Sequence, residues 1–265
     1  MPVNRIDKLF SDLKIRKKKA LIAYVTGGYP TLSIMDRAVR DLVRSGVDLV
    51  EVGIPFSDPI ADGPTLQFSS QKALEAGVTP VTVLDWVKVF RKTHETPVVL
   101  MTYMNPLQRM GLDVFARRAR AAGVDGIIVP DLIIEEGGAL EKALTRVGIH
   151  LIYLVAPTTP PKRRAAIARR SRGFLYAVSL TGVTGVRRAL PKSLGSFLAD
   201  VRRKSPLPVA VGFGISDPRQ ARTAALHADG VIVGSAFVNR LKNRESLAPF
   251  ARSLRHSLDS VTRRS

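Results

Sequence analysis

The sequence predicts an α/β fold, a (β/α)8 TIM barrel with an extra N-terminal helix. Eight short runs rich in Val and Ile recur along its 265 residues, with helical patterns between them. The runs are apolar at nearly every position, which is typical of strands covered on both faces of a parallel sheet. Eight strand–helix units in a chain of this length favour a barrel. In order, the runs are ALIAYV, VDLVEVGI, PVVLMTY, DGIIVP, HLIYLVAP, FLYAVSL, PVAVGFGI and DGVIVGSAF.

Helical periodicity and cap residues define the connecting segments. Apolar residues fall on one helical face in residues 31–46 and again in residues 193–204. Residues 4–17 predict the extra helix, which could close the bottom of the barrel. Glycine is the usual stop residue of a helix, and Asp before Pro is a good start. These signals occur at Gly46, Gly123, Gly148 and Asp217–Pro218.

An open, doubly wound sheet is the alternative fold. Its usual fingerprint is a glycine-rich turn after the first strand, and VTGGYP matches it only in part because the third glycine is missing. No linker, low-complexity segment or shift in composition marks a second domain. We therefore expect residues 1–265 to form a single TIM-barrel domain.

Composition narrows the class of protein. Hydrophobic residues make up 45% and charged residues 24%, which is ordinary for a globular chain with a sizeable core. The absence of cysteine excludes disulfides and thiolate metal sites, and it suits a reducing cytosol. The start of the chain lacks the apolar core of a signal peptide, and no apolar stretch is long enough to span a bilayer. We expect a cytoplasmic protein with no membrane partner.

The formal net charge is +19, yet the basic residues are spread over many segments. They occur in KIRKKK, ARRARA, PPKRRAAIARRSR, VRRK and NRLKNR, with no aromatic residues between them. We interpret them as solvated helix faces and expect no nucleic-acid partner. A weak polyanion-binding patch is the alternative.

The stretch EVGIPFSDPIADGPTLQ, residues 51–67, departs from this basic character. Between Arg44 and Lys72 there is no Lys or Arg, although four acids lie there: Asp48, Glu51, Asp58 and Asp62. Active sites of this fold lie at the C-terminal ends of the strands. That rule favours the last three acids and makes Asp48, at the start of its strand, a structural residue.

Glu51 is the unusual member because it interrupts a run that otherwise reads as a buried strand. If it points into the barrel, desolvation would raise its pKa, as suits a group that both gives and accepts a proton. A strand-end Glu bonded to backbone or solvent is the alternative. For Asp58 and Asp62 the alternative is turn formation, since Asp-Pro and Asp-Gly are common turn pairs.

Two further patterns point to a ligand at the barrel mouth. Glycine-rich turns follow the last three strands, at residues 181–185, 212–215 and 234–235. Backbone N–H groups of such turns and of a helix N-terminus bind phosphate, so a phosphorylated small molecule is the leading ligand class. Tyr24, Tyr176 and Phe213 would also lie near the mouth. The alternative interpretation is that these three side chains only pack in the core. An aromatic substrate would favour their placement in a binding pocket.

The loop after the second strand combines stiffness with apolar residues. Three prolines, Pro55, Pro59 and Pro64, surround Phe56 and Ile60. A rigid loop of this kind could present an apolar contact to a partner.

The chain resembles the tryptophan synthase alpha subunit family across essentially its whole length. The matching stretches follow the family's order, one per barrel strand or loop, and the combination of PFSDP with ADGPT is the most specific. They are YVTGGYP, DLVEVGIPFSDPIADGPTLQ, PVVLMTYMNP, GVDGIIVPDL, SLTGVTG, PVAVGFGIS and DGVIVGSAF.

The resemblance implies a barrel lyase that cleaves indole-3-glycerol phosphate, by a retro-aldol reaction, to indole and glyceraldehyde 3-phosphate. It implies no metal and no organic cofactor in this chain. Pyridoxal phosphate is expected only in the beta subunit, the partner in an alpha2-beta2 complex.

The resemblance also implies roles for individual residues. Glu51 would shuttle protons to the indole ring carbon and from the glycerol hydroxyl, and Asp62 would hold the indole N–H and stabilise positive charge on the ring. The remaining positions are Tyr176 near the reacting centre; Tyr24 and Phe213 in the indole pocket; Gly185, Gly214, Gly234 and Ser235 at the phosphate; Thr184 in the lid; and Pro55, Phe56 and Asp58 in the partner loop.

One departure from the family pattern is Ile133, where many members have proline after VPDL. Other functions remain open from the sequence. They are a free-standing lyase that releases indole, a different phosphate-binding barrel such as a ribose phosphate isomerase, and a basic scaffold that binds RNA.

Overall fold

The computed structural model describes residues 3–179, 193–212 and 214–262. The strands are β1 (Ala20–Thr26), β2 (Leu49–Gly53), β3 (Val98–Met101), β4 (Gly126–Ile128), β5 (His150–Ile152), β6 (Leu154–Val155), β7 (Leu175–Val178), β8 (Val209–Gly212) and β9 (Gly230–Val233). The helices are α1 (Arg5–Ile15), α2 (Leu32–Arg44), α3 (Pro64–Glu75), α4 (Pro80–Phe90), α5 (Met104–Met110), α6 (Leu112–Ala122), α7 (Gly138–Val147), α8 (Pro161–Arg170), α9 (Leu194–Lys204), α10 (Pro218–Ala225), α11 (Ser235–Lys242) and α12 (Ala248–Thr262).

The strands form one parallel sheet in the order β5-β4-β3-β2-β1-β9-β8-β7-β6. Only Tyr153 separates β5 from β6, so the chain itself joins the two ends of this order and the sheet closes as a barrel. The break occurs because Tyr153 donates its backbone N–H to the Ser171 hydroxyl, at 3.0 Å, instead of to a strand carbonyl. The run HLIYLVAP is therefore one barrel position made of two short strands, and the predicted (β/α)8 barrel is confirmed.

The extra helix α1 covers the N-terminal ends of the strands, as the sequence predicts. Asn4 Nδ2 donates to the backbone carbonyls of Asp125, at 2.9 Å, and Gly148, at 3.1 Å, just before β4 and β5. Ile6 is fully buried beneath the helix. The side chain of Asp7 lies 2.8 Å from His150 Nε2. These contacts place α1 at the bottom of the barrel, opposite the strand ends that carry Glu51.

Helix ends follow the predicted signals. Gly123 and Gly148 have φ of 89° and 72° at the ends of α6 and α7, the left-handed region that favours glycine. Asp217 accepts a hydrogen bond from Gln220 N at 2.8 Å and caps α10. Asp48 also has a structural role, because its carboxylate accepts from Leu21 N at 2.8 Å and from Arg255 at 2.9 Å. Among the described helices, none is both long and apolar enough to cross a membrane.

Candidate active site

Two carboxylates are buried at the C-terminal end of the barrel. Glu51 lies in β2, paired in register with Tyr24 of β1, and only 1% of its surface is exposed. Burial raises the pKa of Glu51 to about 8, and the nearby negative charge of Asp62 contributes to the rise. Its Oε2 atom has no hydrogen-bond partner in the described part of the chain. Glu51 is therefore mainly protonated at neutral pH and available to a ligand.

Asp62 reaches the same cavity from the loop between β2 and α3. Its backbone N–H donates to Pro59 O at 2.9 Å, and Gln67 Nε2 donates to the Asp62 carbonyl at 2.9 Å, which holds the loop against the start of α3. Burial raises the pKa of Asp62 to about 6, while a hydrogen bond from the Tyr103 hydroxyl limits the rise. Near pH 7 Asp62 is thus mainly ionised beside a mainly neutral Glu51.

Two tyrosines complete the apolar wall of the cavity. Burial raises the pKa values of Tyr24 and Tyr176 well above the usual range, and the carboxylates Glu51 and Asp62 add to the effect. Both side chains therefore stay neutral. A Cβ at Gly53 would overlap the Tyr24 hydroxyl, and one at Gly212 would overlap that of Tyr176. Glycine at these two strand ends makes room for the rings.

Three of the four predicted phosphate positions lie in the same cavity. Gly214, with φ of 76°, follows β8, and Gly234 precedes α11, whose first residue is Ser235. No side chain caps this helix, so its first N–H groups remain available and its positive end faces the cavity. Gly214, Gly234 and Ser235 line the same cavity as the two carboxylates. Three predicted residues, Gly185, Thr184 and Phe213, lie outside the described residues.

The cavity also has lining residues that sequence reasoning missed. They are Leu66, Met101, Ile215, Ser216, Ile232 and Ala236. Its free volume is about 40 Å³. That is enough for a few water molecules.

Tyr103 is a further residue that the sequence did not predict for the site, and it contacts both the site and the loop after β2. Its hydroxyl bonds to the Asp62 side chain and accepts from Ala61 N at 3.2 Å. Tyr103 lies two residues after the end of β3, so the rule that sites lie at strand C-terminal ends could have found it.

The predicted partner loop differs from expectation at Phe56. Ile60 is 78% exposed, as expected, and Asp58 is exposed with a hydrogen bond from Ser57 at 2.5 Å. Phe56 is only half-exposed because its ring packs against Tyr103, with centroids 5.3 Å apart. Phe56 therefore connects the loop to the Tyr103–Asp62 pair instead of standing free as a surface anchor.

Together, the fold and the cavity define a (β/α)8 barrel of the enzyme class, with two buried carboxyl groups beside an uncapped helix N-terminus. Within the described part of the chain no cluster of three or more His, Cys, Asp or Glu side chains could hold a metal ion. The sequence model for the family described as "Tryptophan synthase alpha chain" matches residues 10–260. The chain belongs to this family.

Individual relatives agree with the family match. The tryptophan synthase alpha chain of Carboxydothermus hydrogenoformans is 46% identical, over 91% of this chain and 90% of its own length. The tryptophan synthase alpha chain of Citrifermentans bemidjiense is 47% identical, over 89% of this chain and 88% of its own length.

Solved structures agree as well. The tryptophan synthase subunit alpha of Legionella pneumophila superposes with a TM-score of 0.89 at 38% identity, covering 97% of this chain and 99% of that one. A structure of Mycobacterium tuberculosis tryptophan synthase superposes with a TM-score of 0.90 at 38% identity, covering 97% of this chain and 98% of that one.

Membership confirms the resemblance seen in the sequence. The chain is a lyase of the alpha reaction, the cleavage of indole-3-glycerol phosphate in tryptophan biosynthesis. The alternative functions left open by the sequence are not favoured.

Proposed function

We propose that Glu51 and Asp62 carry out the cleavage of indole-3-glycerol phosphate in this chain, with Glu51 as the proton shuttle. The observation that carries this proposal is their opposite protonation in one buried cavity. Glu51, with a pKa of about 8, holds a proton at neutral pH, whereas Asp62, with a pKa of about 6, has lost its own. A reaction that needs one acid and one anion can therefore start without any prior proton transfer.

The proposed reaction has two proton transfers through one carboxyl group. Glu51 gives its proton to the ring carbon that bears the glycerol chain, and the ring becomes a cation. The resulting carboxylate takes the proton of the neighbouring glycerol hydroxyl. The bond between ring and chain then breaks, its electron pair restores the indole, and the hydroxyl carbon becomes the aldehyde of glyceraldehyde 3-phosphate. Glu51 ends the reaction protonated, as it began.

Asp62 stabilises the intermediate cation. In this proposal its carboxylate accepts the indole N–H and lies close to the positive charge that develops on the ring, where low polarity strengthens the attraction. Tyr24, Tyr176 and Phe213 form the apolar pocket around the ring. The phosphate group is placed at Gly185, Gly214, Gly234 and Ser235, where N–H groups and the α11 N-terminus offer neutral donors.

We further propose that the chain works with a tryptophan synthase beta subunit in an alpha2-beta2 complex. Pro55, Phe56 and Asp58 belong to the contacting loop, and Thr184 belongs to a lid over the site. The packing of Phe56 on Tyr103, and the bond from Tyr103 to Asp62, support a route from partner to catalytic carboxylate. The proposal includes residues 1–265 as one cytoplasmic domain that needs no metal or organic cofactor, with pyridoxal phosphate confined to the beta subunit.

A pair of isosteric variants tests the shuttle. Glu51→Gln keeps the shape and removes the proton transfer, so turnover should fall at least about 100-fold, the scale of general acid–base groups. Glu75→Gln makes the same chemical change on the exposed face of α3 and should leave turnover unchanged. Indole release should be measured with both proteins shown to be folded by circular dichroism. Substantial activity in Glu51→Gln would assign the proton transfers to another group.

A further inference from the structure

A second cavity lies at the other end of the barrel. Its lining includes Lys19, Pro208 and Asp229, which directly precede β1, β8 and β9, so it opens at the N-terminal ends of the strands. The end of α1 and the last turns of α12 enclose its sides. Its volume is about 580 Å³. Pockets for small organic ligands occupy roughly 300–1,000 Å³, so this space is of ligand size.

The charges around the cavity are strongly one-sided. Five of its lining residues are cations, four of them in the segment 14–19, and one is a carboxylate, Asp229. Asp229 is already paired with Arg202, at 3.0 Å. Lys18 lies 3.5 Å from Asp259, but Lys14 and Lys17 form no ion pair within the described residues. The rim therefore keeps an excess of positive charge that an anion could neutralise.

Helix ends account for only part of this cluster. Cations in the last turn of a helix interact favourably with its negative end, and this applies to Lys14 in α1 and Arg202 in α9. The lysines at 17, 18 and 19 lie beyond the end of α1. Lys19 Nζ is half-buried and donates to a carbonyl, Ala228 O, at 2.7 Å. Burial lowers the pKa of Lys19, and the charge of Arg202 lowers it further, so an anion nearby would favour its charged form.

Part of the cavity wall is apolar. Phe10, Leu13 and Val261 are buried in its wall, and the half-buried Leu207 lies between two prolines at the edge. Such a floor suits a flat ring, whereas the lysines at the rim suit phosphate groups. A long polyanion binds an open surface through its charges, and such binding does not require an apolar recess.

We propose that this cavity binds a nucleoside polyphosphate, with the ring on the floor of Phe10 and Leu13 and the phosphates beside Lys14, Lys17 and Lys19. The site is separate from the cavity of Glu51 and Asp62. It does not depend on the roles proposed for those carboxylates.

Calorimetric titration of the full chain with ATP, inorganic triphosphate and adenosine tests the proposal. We expect ATP to bind with one-to-one stoichiometry, and inorganic triphosphate to bind at least about 10-fold more weakly because it lacks the ring. The double variant Lys14→Gln, Lys17→Gln should weaken ATP binding by at least about 10-fold. Both lysines are exposed, so the fold should be retained. Leu207→Gln should weaken the binding of ATP but not that of triphosphate.

The matched control is the double variant Lys88→Gln, Lys92→Gln, which removes two exposed lysines elsewhere. It should bind ATP like the parent chain. Equal binding of ATP and inorganic triphosphate, or equal losses in the two double variants, would reduce the site to general surface charge and overturn the proposal. Tighter binding of a single-stranded RNA than of ATP, with the same dependence on Lys14 and Lys17, would show an open polyanion surface instead.

Discussion

At the scale of single residues, the most consequential feature is the desolvation of Glu51. An exposed glutamate beside another carboxylate would be ionised at neutral pH. Here burial raises the pKa of Glu51 to about 8, and the charge of Asp62 opposes a second negative charge in the same cavity. The stretch from 45 to 71 has no basic residue to reverse this effect. The absence of bases that looked anomalous in a chain of net charge +19 is thus consistent with a carboxyl group kept protonated.

The two pKa values predict a bell-shaped pH profile. Activity should rise as Asp62 ionises, near pH 6, and fall as Glu51 loses its proton, near pH 8. Since the two groups interact, both limbs report the pair and not separate residues. Measurement of kcat/KM for indole-3-glycerol phosphate between pH 5 and pH 9 checks this. A profile that stays flat through pH 8 would contradict the proposed role of protonated Glu51.

Glu51 should also make the fold less stable at high pH. Its folded pKa of about 8 exceeds the unfolded value of 4.5, so the folded state binds more protons between these values and loses stability as pH rises. Glu51→Gln removes this loss. Its free energy of unfolding should exceed that of the parent chain by a few kcal/mol at pH 9, at about 1.36 kcal/mol per pKa unit, and the gap should shrink toward pH 5. Urea unfolding at both pH values measures it; a gap independent of pH would be the contrary result.

At the scale of elements, the site depends on the ends of β8 and β9 and on the start of α11. In the proposed phosphate site these backbone positions supply N–H groups in place of basic side chains, so the phosphate would bind without a cation near Glu51. The left-handed φ of Gly214 and the position of Gly234 against Tyr24 both restrict what other residue could stand there.

Gly234→Val should impair substrate binding more than it impairs the fold. A Cβ at Gly234 would already lie 3.3 Å from the Cβ of Tyr24, and the larger side chain would enter the cavity beside Ser235. We expect KM for indole-3-glycerol phosphate to rise at least about 10-fold, a loss of about 1.4 kcal/mol. Gly138→Val, where an added Cβ meets no atom within 4 Å, is the control. Steady-state kinetics on both variants decides whether the backbone N–H groups at Gly214, Gly234 and Ser235 hold the phosphate.

The loop after β2 should determine the response to a beta subunit. Ile60 is 78% exposed, so Ile60→Ala should keep the basal rate and lose most of the stimulation by the partner. Phe56→Ala should lower both the basal rate and the stimulation by the partner, because it removes the ring that packs on Tyr103. Val89→Ala, another exposed apolar residue, is the control. Cleavage rates with and without a beta subunit from the same host measure this; equal stimulation of all three variants would exclude the loop as the contact.

At the scale of the whole molecule, the two ends of the barrel have different tasks. The C-terminal end holds buried carboxylates and open N–H groups. The N-terminal end is closed by α1 and by ion pairs around Asp125, which accepts from Arg91 at 2.5 Å, from Arg5 at 3.2 Å and from Val98 N at 2.8 Å. These bonds lie at the end of the barrel away from Glu51 and Asp62.

Asp125→Ala should therefore destabilise the fold without altering the site. It leaves the largely buried guanidinium of Arg91 without its carboxylate, a change that typically costs about 3–5 kcal/mol. Asp113→Ala, which removes an exposed carboxylate 3.5 Å from Arg146, should cost less than about 1 kcal/mol. Urea unfolding of both variants, with KM measured under native conditions, provides the comparison. A similar loss of unfolding free energy in both variants would show that the ion pairs of Asp125 are not the main stabilising contacts at the bottom of the barrel.

Much of the fold and part of the site could be read from sequence because their signals are local. The eight apolar runs, the helix ends at Gly123 and Gly148, and the position of Glu51 near the end of its strand each depend on a few neighbouring residues. Contacts between distant segments could not be read in this way. The bond of Tyr103 to Asp62, the packing of Phe56 and the break at Tyr153 depend on how separate strands and loops meet. The raised pKa of Glu51 is of the same kind, since it arises from the desolvation that all the surrounding strands produce together and that no short stretch of sequence contains.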